Sequence, residues 1–262
     1  MPHLEVDGGG VWYEVAGEGP PVVFLHSTLV DSRQWDEQME SFSSRFRAIR
    51  FDLRGFGRSP MPTEPYRPLE DLATLVRTLD ATPAALVGCS AGGALDLMFT
   101  LEHPDMVSAL VLVASGAPRF TGWSDDVRTL WQATEAALEE GDLERAQRLE
   151  LDYWVPAGRF PKGDGRIAEM ARDNVKAMAG AEDFMEGPDT APLERMDEIR
   201  VPTLVVLAEH DEPGIQAIGE LVAAGVPGTE VVTIPGTDHL VNMRNPREFD
   251  RVVLGFLGGV LA

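Results

Sequence analysis

Residues 85–93 read Ala85-Leu86-Val87-Gly88-Cys89-Ser90-Ala91-Gly92-Gly93, and they decide the fold. An apolar run stops at a serine set among glycines, and Leu95, Leu97, Met98 and Leu101 carry on as a helix. Strand, sharp turn and helix are the setting in which G-x-S-x-G throws a serine hydroxyl out at the end of a sheet. So tight a turn takes strained backbone angles, and side chains two positions to either side would clash. Gly88 and Gly92 remove those side chains, and Gly93 lets the new helix pack close to the sheet. The helix N-terminus directs backbone N–H groups toward charge developing beside Ser90. Ser90 is thus the expected nucleophile, with the N–H of Ala91 beside it. Cys89, its neighbour on the turn, should point away from any pocket.

Outward from this turn the same pattern repeats. Val22-Val23-Phe24-Leu25, Ala48 to Phe51, Ala109 to Val113, Thr203 to Leu207 and Val231 to Ile234 are short apolar runs. Continuous runs of this kind suit strands buried on both faces of a parallel sheet. Val11 to Val15 alternates more and fits an antiparallel strand near an edge. Amphipathic stretches lie between. Asp31 can cap a helix that buries Trp35, Met39 and Phe42. Leu72, Leu75, Val76 and Leu79 form one stripe. Asn245-Pro246-Arg247-Glu248 reads as an N-cap, a first-turn proline and a capping-box acid, followed by Phe249, Val252, Val253 and Phe256. The order βαβα predicts a doubly wound, mostly parallel central sheet flanked by helices.

From about Pro118 to Met196 no strand is readable. Helices are expected near Asp125–Glu140, Asp142–Tyr153 and Gly165–Ala179, in a stretch that also holds Trp123, Trp131, Trp154, Phe160 and Phe184. Inserted between two late strands, such helices sit over the strand ends, where open α/β sheets place ligands. The expected division is a core of residues 1–117 and 197–262 and a helical cap of 118–196.

Composition narrows the partners. The 262 residues carry a formal net charge of −21, which repels nucleic-acid phosphates and anionic lipid surfaces. With one cysteine, neither an intrachain disulfide nor a cysteine-rich metal site can form. No apolar run approaches the roughly 20 residues that cross a bilayer. The first residues lack a basic region followed by an apolar stretch, so a soluble, cytoplasmic chain is expected.

Three further motifs accompany the serine turn. His26-Ser27-Thr28 follows the first buried run and resembles an H-G-x loop. Phe51-Asp52-Leu53-Arg54-Gly55-Phe56-Gly57-Arg58-Ser59 resembles D-x-R-G-x-G-x-S. Ser90, an acid after Leu207 and a histidine after Ile234 follow in that order. Taken together, the chain resembles the α/β-hydrolase superfamily over nearly its whole length.

What the resemblance implies can be set against the residues. A serine needs a general base. Of the five histidines, His239 lies in the loop after the last strand, where the family keeps its catalytic histidine. The loop Ala208-Glu209-His210-Asp211-Glu212 matches the family's G-x-x-D except at Ala208, which points to Asp211 as the acid that orients His239. Glu209, Glu212 and Asp238 compete with it. By resemblance the N–H of Thr28 joins that of Ala91 as the oxyanion hole. Ser27 replaces the family's usual glycine there. His26, Asp52 and Arg54 read as structural. Leu29, Trp123 and Trp154 are candidate substrate contacts, and the more ordinary role of aromatics in this stretch is to pack the core of the cap.

A serine nucleophile sets the expected reaction apart from epoxide and haloalkane chemistry, which uses aspartate on this scaffold. The expectation is a serine hydrolase acting on a small-molecule ester or lactone through an acyl-enzyme, with no metal or organic cofactor. Carbon–carbon bond hydrolysis and perhydrolysis use the same three residues. The former needs cationic groups near the oxyanion loop, for which Arg119 and Arg159 are the candidates. A cyanohydrin lyase and a non-catalytic sensor are the other readings, and an intact Ser-Asp-His set argues against the sensor.

Overall fold

The computed structural model describes residues 3–261 apart from 179, 182–183 and 188–190, and for Met178 the backbone alone. Eight strands form one sheet: β1 (His3–Val6), β2 (Gly9–Ala16), β3 (Pro21–Leu25), β4 (Arg47–Phe51), β5 (Ala84–Cys89), β6 (Val107–Val113), β7 (Thr203–Ala208) and β8 (Glu230–Ile234). Their spatial order is β1-β2-β4-β3-β5-β6-β7-β8. β1 and β2 pair antiparallel, as do β2 and β4, and every other pairing is parallel. The doubly wound, mostly parallel sheet expected from the sequence is the architecture found.

Alternation within the strands feeds two cores. In β3, Val23 and Leu25 face a core shared with α2 (Pro68–Thr78), α3 (Ala91–Glu102) and α8 (Pro213–Gly225). Val22 and Phe24 face the other, built with α1 (Asp36–Phe42), the short α9 (Val241–Arg244) and α10 (Pro246–Val260). All six residues of central β5 are buried, which is why it reads as an unbroken apolar run.

The edges depart from the sequence reading. β8 is an edge strand, and of the run Val231 to Ile234 only Ile234 is fully buried, while Val231 is 45% exposed. Apolar content alone does not distinguish an edge from a centre. β1 went unread because it is four half-exposed residues with no core of its own. On α10 the buried stripe ends in Leu257, and Phe256 is only partly buried. Asn245 caps that helix through the Glu248 N–H, but the Glu248 carboxylate turns to Arg251 instead of completing a capping box. Asp31 caps a 3₁₀ turn, Ser32–Trp35, that leads into α1.

Between Val113 and Thr203 the described residues form α4 (Asp125–Glu139), α5 (Leu143–Trp154), α6 (Asp164–Asp173) and the short α7 (Val175–Met178). Ser124 and Asp142 cap α4 and α5. The helix expected over 165–179 breaks at Asn174, and its last residue, Ala179, lies outside the described residues. Asn174 is buried, and its amide donates to the Met170 carbonyl at 2.7 Å and to Asp31 at 2.8 Å. A side chain that bonds its own backbone in this way competes with the helix. Its Oδ1 accepts the N–H of Gly57 at 2.7 Å, so one amide clips the helical segment to two loops of the sheet layer. No helix among the described residues is long and apolar enough to cross a membrane.

Candidate active site

The site grows from the C-terminal end of β5. Ser90 has φ 57° and ψ −116°, a strained conformation held from both sides. Its N–H donates to the Val113 carbonyl at 3.0 Å, and its own carbonyl accepts from Ala94 and Gly116. The glycines earn their place by close approach. A Cβ on Gly92 would stand 2.5 Å from the Leu25 carbonyl oxygen and 2.8 Å from that of His26, so this turn packs directly on the end of β3. Cys89 points the other way, with Sγ 3.8 Å from the His239 carbonyl oxygen, and burial pushes its thiol up to about 12. No thiolate is available there near neutral pH.

Two loops bring the partners. The loop after β7 carries Asp211 and the loop after β8 carries His239. They are joined by the His210 N–H donating to the Thr237 carbonyl at 3.1 Å and by the Gly236 N–H donating to Glu209 at 2.8 Å. His239 Nε2 lies 2.8 Å from Ser90 Oγ, and Nδ1 lies 3.0 Å from both oxygens of Asp211. The side chains of His239 and Asp211 are 2% and 1% exposed. A proton on Nδ1 shared with Asp211 leaves Nε2 as the acceptor facing the serine hydroxyl.

The competing acids are occupied elsewhere. Glu212 caps α8 and accepts the Ser124 N–H. Asp238 pairs with Arg244 at 2.8 Å. Arg244 is fully buried and also binds Asp164 and the carbonyls of Phe160, Lys162 and Val155, which fastens the His239 loop to the helical segment. Of the remaining histidines, His103 packs on Phe99 and His210 stacks on Phe160. His26 Nε2 accepts the Leu53 N–H at 3.0 Å, so Nδ1 carries the proton and donates to the Ser27 carbonyl. With both nitrogens engaged, this ring shapes the loop.

That loop holds Thr28. Ser27 is buried, its N–H donates to Gln34 Oε1 at 3.0 Å, and its Oγ accepts the Leu29 N–H at 3.3 Å. The hydroxyl thus closes a small turn that a glycine could not. Gln34 continues through Asn242 to Gln38, a buried amide chain that couples this loop to the segment following His239. Asp52 accepts the N–H groups of Ser32 and Arg58, and Arg54 pairs with Asp71 at 2.7 Å. Neither reaches the serine.

A cavity of about 250 Å³ borders the same loop. Thr28 and Leu29 form one side; Phe56, Trp131 and Leu138 add apolar wall, with Thr134 and Glu150 as polar members. Trp123 does not line it but packs edge-on behind Trp131, centroids 5.2 Å apart. Trp154 lies on His239 and borders a second, outer cavity with Tyr153, Arg159 and His210. Sequence reading missed Thr134 and Glu150. The signal was there for Glu150, since Ala146, Glu150 and Trp154 recur at four-residue spacing and place a carboxylate on the inward stripe of α5. Among the described residues no group of three or more His, Cys, Asp or Glu could hold a metal ion.

Comparison with known proteins agrees with the architecture. The chain is 24% identical over 267 residues to a putative carbamate hydrolase of Azorhizobium caulinodans, covering 99% of each. It is 28% identical over 275 residues to a putative 2-succinyl-6-hydroxy-2,4-cyclohexadiene-1-carboxylate synthase of Bacillus subtilis, covering 96% of each. The enol-lactonase of Burkholderia xenovorans superposes with a TM-score of 0.82 at 23% identity, over 98% of this chain and all of that one. The profile of the alpha/beta hydrolase family matches residues 22–252. With a match spanning most of its length, the chain belongs to the alpha/beta hydrolase family.

Proposed function

We propose that the protein is a serine hydrolase cleaving a carboxylic ester or lactone. The observation that carries this reading is the unbroken contact from Ser90 Oγ through His239 to Asp211, at 2.8 and 3.0 Å. His239 takes the hydroxyl proton as Ser90 attacks the carbonyl carbon, and the Asp211 carboxylate stabilises the imidazolium that forms. The N–H groups of Ala91 and Thr28 receive the oxyanion. His239 then gives its proton to the departing alkoxide. Water, deprotonated by the same imidazole, attacks the acyl-enzyme and releases the acid and free Ser90. Residues 118–196 act as the cap that bounds the substrate.

Two observations favour an ester or lactone over carbon–carbon cleavage of a carboxylate-bearing substrate. Arg159 borders the outer cavity, and among the described residues no arginine or lysine lines the cavity of Thr28, Phe56 and Trp131. The test is turnover of p-nitrophenyl esters of increasing acyl length, with fluorophosphonate labelling, for wild type and Ser90→Ala. Turnover and labelling that both vanish in Ser90→Ala support the mechanism. A folded wild type that neither labels nor turns over any ester rejects it.

A further inference from the structure

The loop that follows β3 uses almost all of its backbone donors internally. The Ser27 N–H donates to Gln34 Oε1 at 3.0 Å, the Leu29 N–H to Ser27 Oγ at 3.3 Å and the Val30 N–H to the Ser27 carbonyl at 3.1 Å. Among the described residues nothing accepts the N–H of Thr28, which lies between them. Its direction is nevertheless fixed. A peptide unit is planar and trans, so holding its carbonyl also aims its N–H. The carbonyl of the Ser27–Thr28 unit accepts His26 Nδ1–H at 2.9 Å in addition to the Val30 N–H. The next unit, Thr28–Leu29, is held by its N–H, and the group that holds it is the Ser27 hydroxyl. Serine makes such a turn through its own side chain, and glycine has nothing to make it with. The loop also meets the serine turn backbone to backbone, since a Cβ on Gly92 would stand 2.8 Å from the His26 carbonyl oxygen. Thr28 is two residues beyond His26, and Ala91 is one residue before Gly92.

Resting on the serine-hydrolase reading, we infer that Ser27 is a positioning residue for that reaction. Its buried hydroxyl locks the Thr28–Leu29 peptide, so that the one donor the loop leaves unused stays directed at the oxyanion. The hydroxyl touches no reacting atom. It acts through the N–H of Thr28, and a fixed donor stabilises developing charge more than one that must first reorient.

Ser27→Ala removes the hydroxyl and keeps the backbone bonds of residue 27. With p-nitrophenyl butyrate, kcat is expected to fall by about 10- to 100-fold, less than the loss of a whole oxyanion donor. KM should stay within about threefold, as for an interaction made only in the transition state. The thermal midpoint should fall by only about 2–4 °C, the shift for one lost hydrogen bond. An alkyl trifluoromethyl ketone gives the independent reading. Ser90 Oγ adds to its carbonyl carbon, His239 takes the hydroxyl proton, and the former carbonyl oxygen becomes an oxyanion in the hole. Its Ki should rise by the factor by which kcat falls. Ser27→Gly, which also lacks the hydroxyl, should show the same paired loss. If kcat and Ki stay within about threefold of wild type in either variant, the positioning role is overturned and the serine mechanism is untouched. A loss carried by KM, or a fall in kcat that Ki does not follow, also overturns it, because the effect then lies outside the oxyanion. A folded wild type that neither turns over an ester nor labels with fluorophosphonate overturns the serine reading and this role together.

Discussion

The indole of Trp154 lies against the imidazole of His239, with ring centroids 4.5 Å apart and planes tilted by 40°. Glu150 holds the indole N–H, so the ring that walls His239 is itself fixed in place. An aromatic face beside an imidazole that must become cationic is worth about 0.5–2 kcal/mol. Trp154→Ala should therefore lower kcat/KM by about 2- to 30-fold. Trp154→Phe should keep most of the activity, because the face remains. Equal losses in the two variants, measured by steady-state ester hydrolysis, would show that the ring contact contributes nothing.

Among the described residues Asp211 is the one acid whose oxygens both reach His239 Nδ1. Asp211→Asn puts an amide where the imidazole needs an acceptor, and a fall in kcat on the order of 10⁴ is expected from the equivalent change in a serine protease. Glu209, two residues earlier and half exposed, binds only a backbone N–H of the neighbouring loop among its described hydrogen bonds, along with His210. Glu209→Gln should stay within about threefold of wild type, the range of an exposed pair. If the two variants lost activity alike, the general field of the acidic loop would matter and the orientation of His239 would not.

Asp96 sits on α3 below the serine turn, fully buried, with neither carboxylate oxygen hydrogen-bonded. Burial raises its pKa well above the ordinary carboxylate value. In the unfolded chain the group ionises near pH 4. Above that pH the unfolded state loses a proton that the folded state keeps, so stability falls as pH rises until the folded carboxyl ionises too. Asp96→Asn removes this dependence. Its thermal midpoint should gain on wild type steadily from pH 5 to pH 8, and a constant difference across that range would contradict the assignment.

Arg244 joins Asp238 and Asp164 through a side chain with no exposed surface. Arg244→Met leaves Asp238 as a buried, unpaired carboxylate and should cost about 3–5 kcal/mol. Urea unfolding followed by tryptophan fluorescence would read this directly. A loss below about 1 kcal/mol would mean that Asp238 is satisfied without the guanidinium.

Local chemistry made the centre of this molecule readable. The glycines around Ser90 report the close approach of Leu25, and the buried strands show as unbroken apolar runs. Elements defined by what covers them were harder. Val231 and Leu204 look alike in sequence, yet one lies at an edge and the other between neighbours. Asn174 looks like an ordinary helical residue until Asp31 and Gly57 come within its reach. Asp211 stood among four acids, and three of them were set aside only by partners distant in sequence or across a loop. Glu150 was hidden because an acid on a helix is usually solvated.

The amide of Asn174 has a mechanical consequence. It grips Asp31, three residues beyond Thr28, and Gly57, next to the cavity residue Phe56, from the junction of two helices of the overlying segment. A push on that junction is thereby transmitted to the loop that carries Thr28. The helical segment and this loop are therefore geared together: neither can shift without stretching or breaking hydrogen bonds to the other.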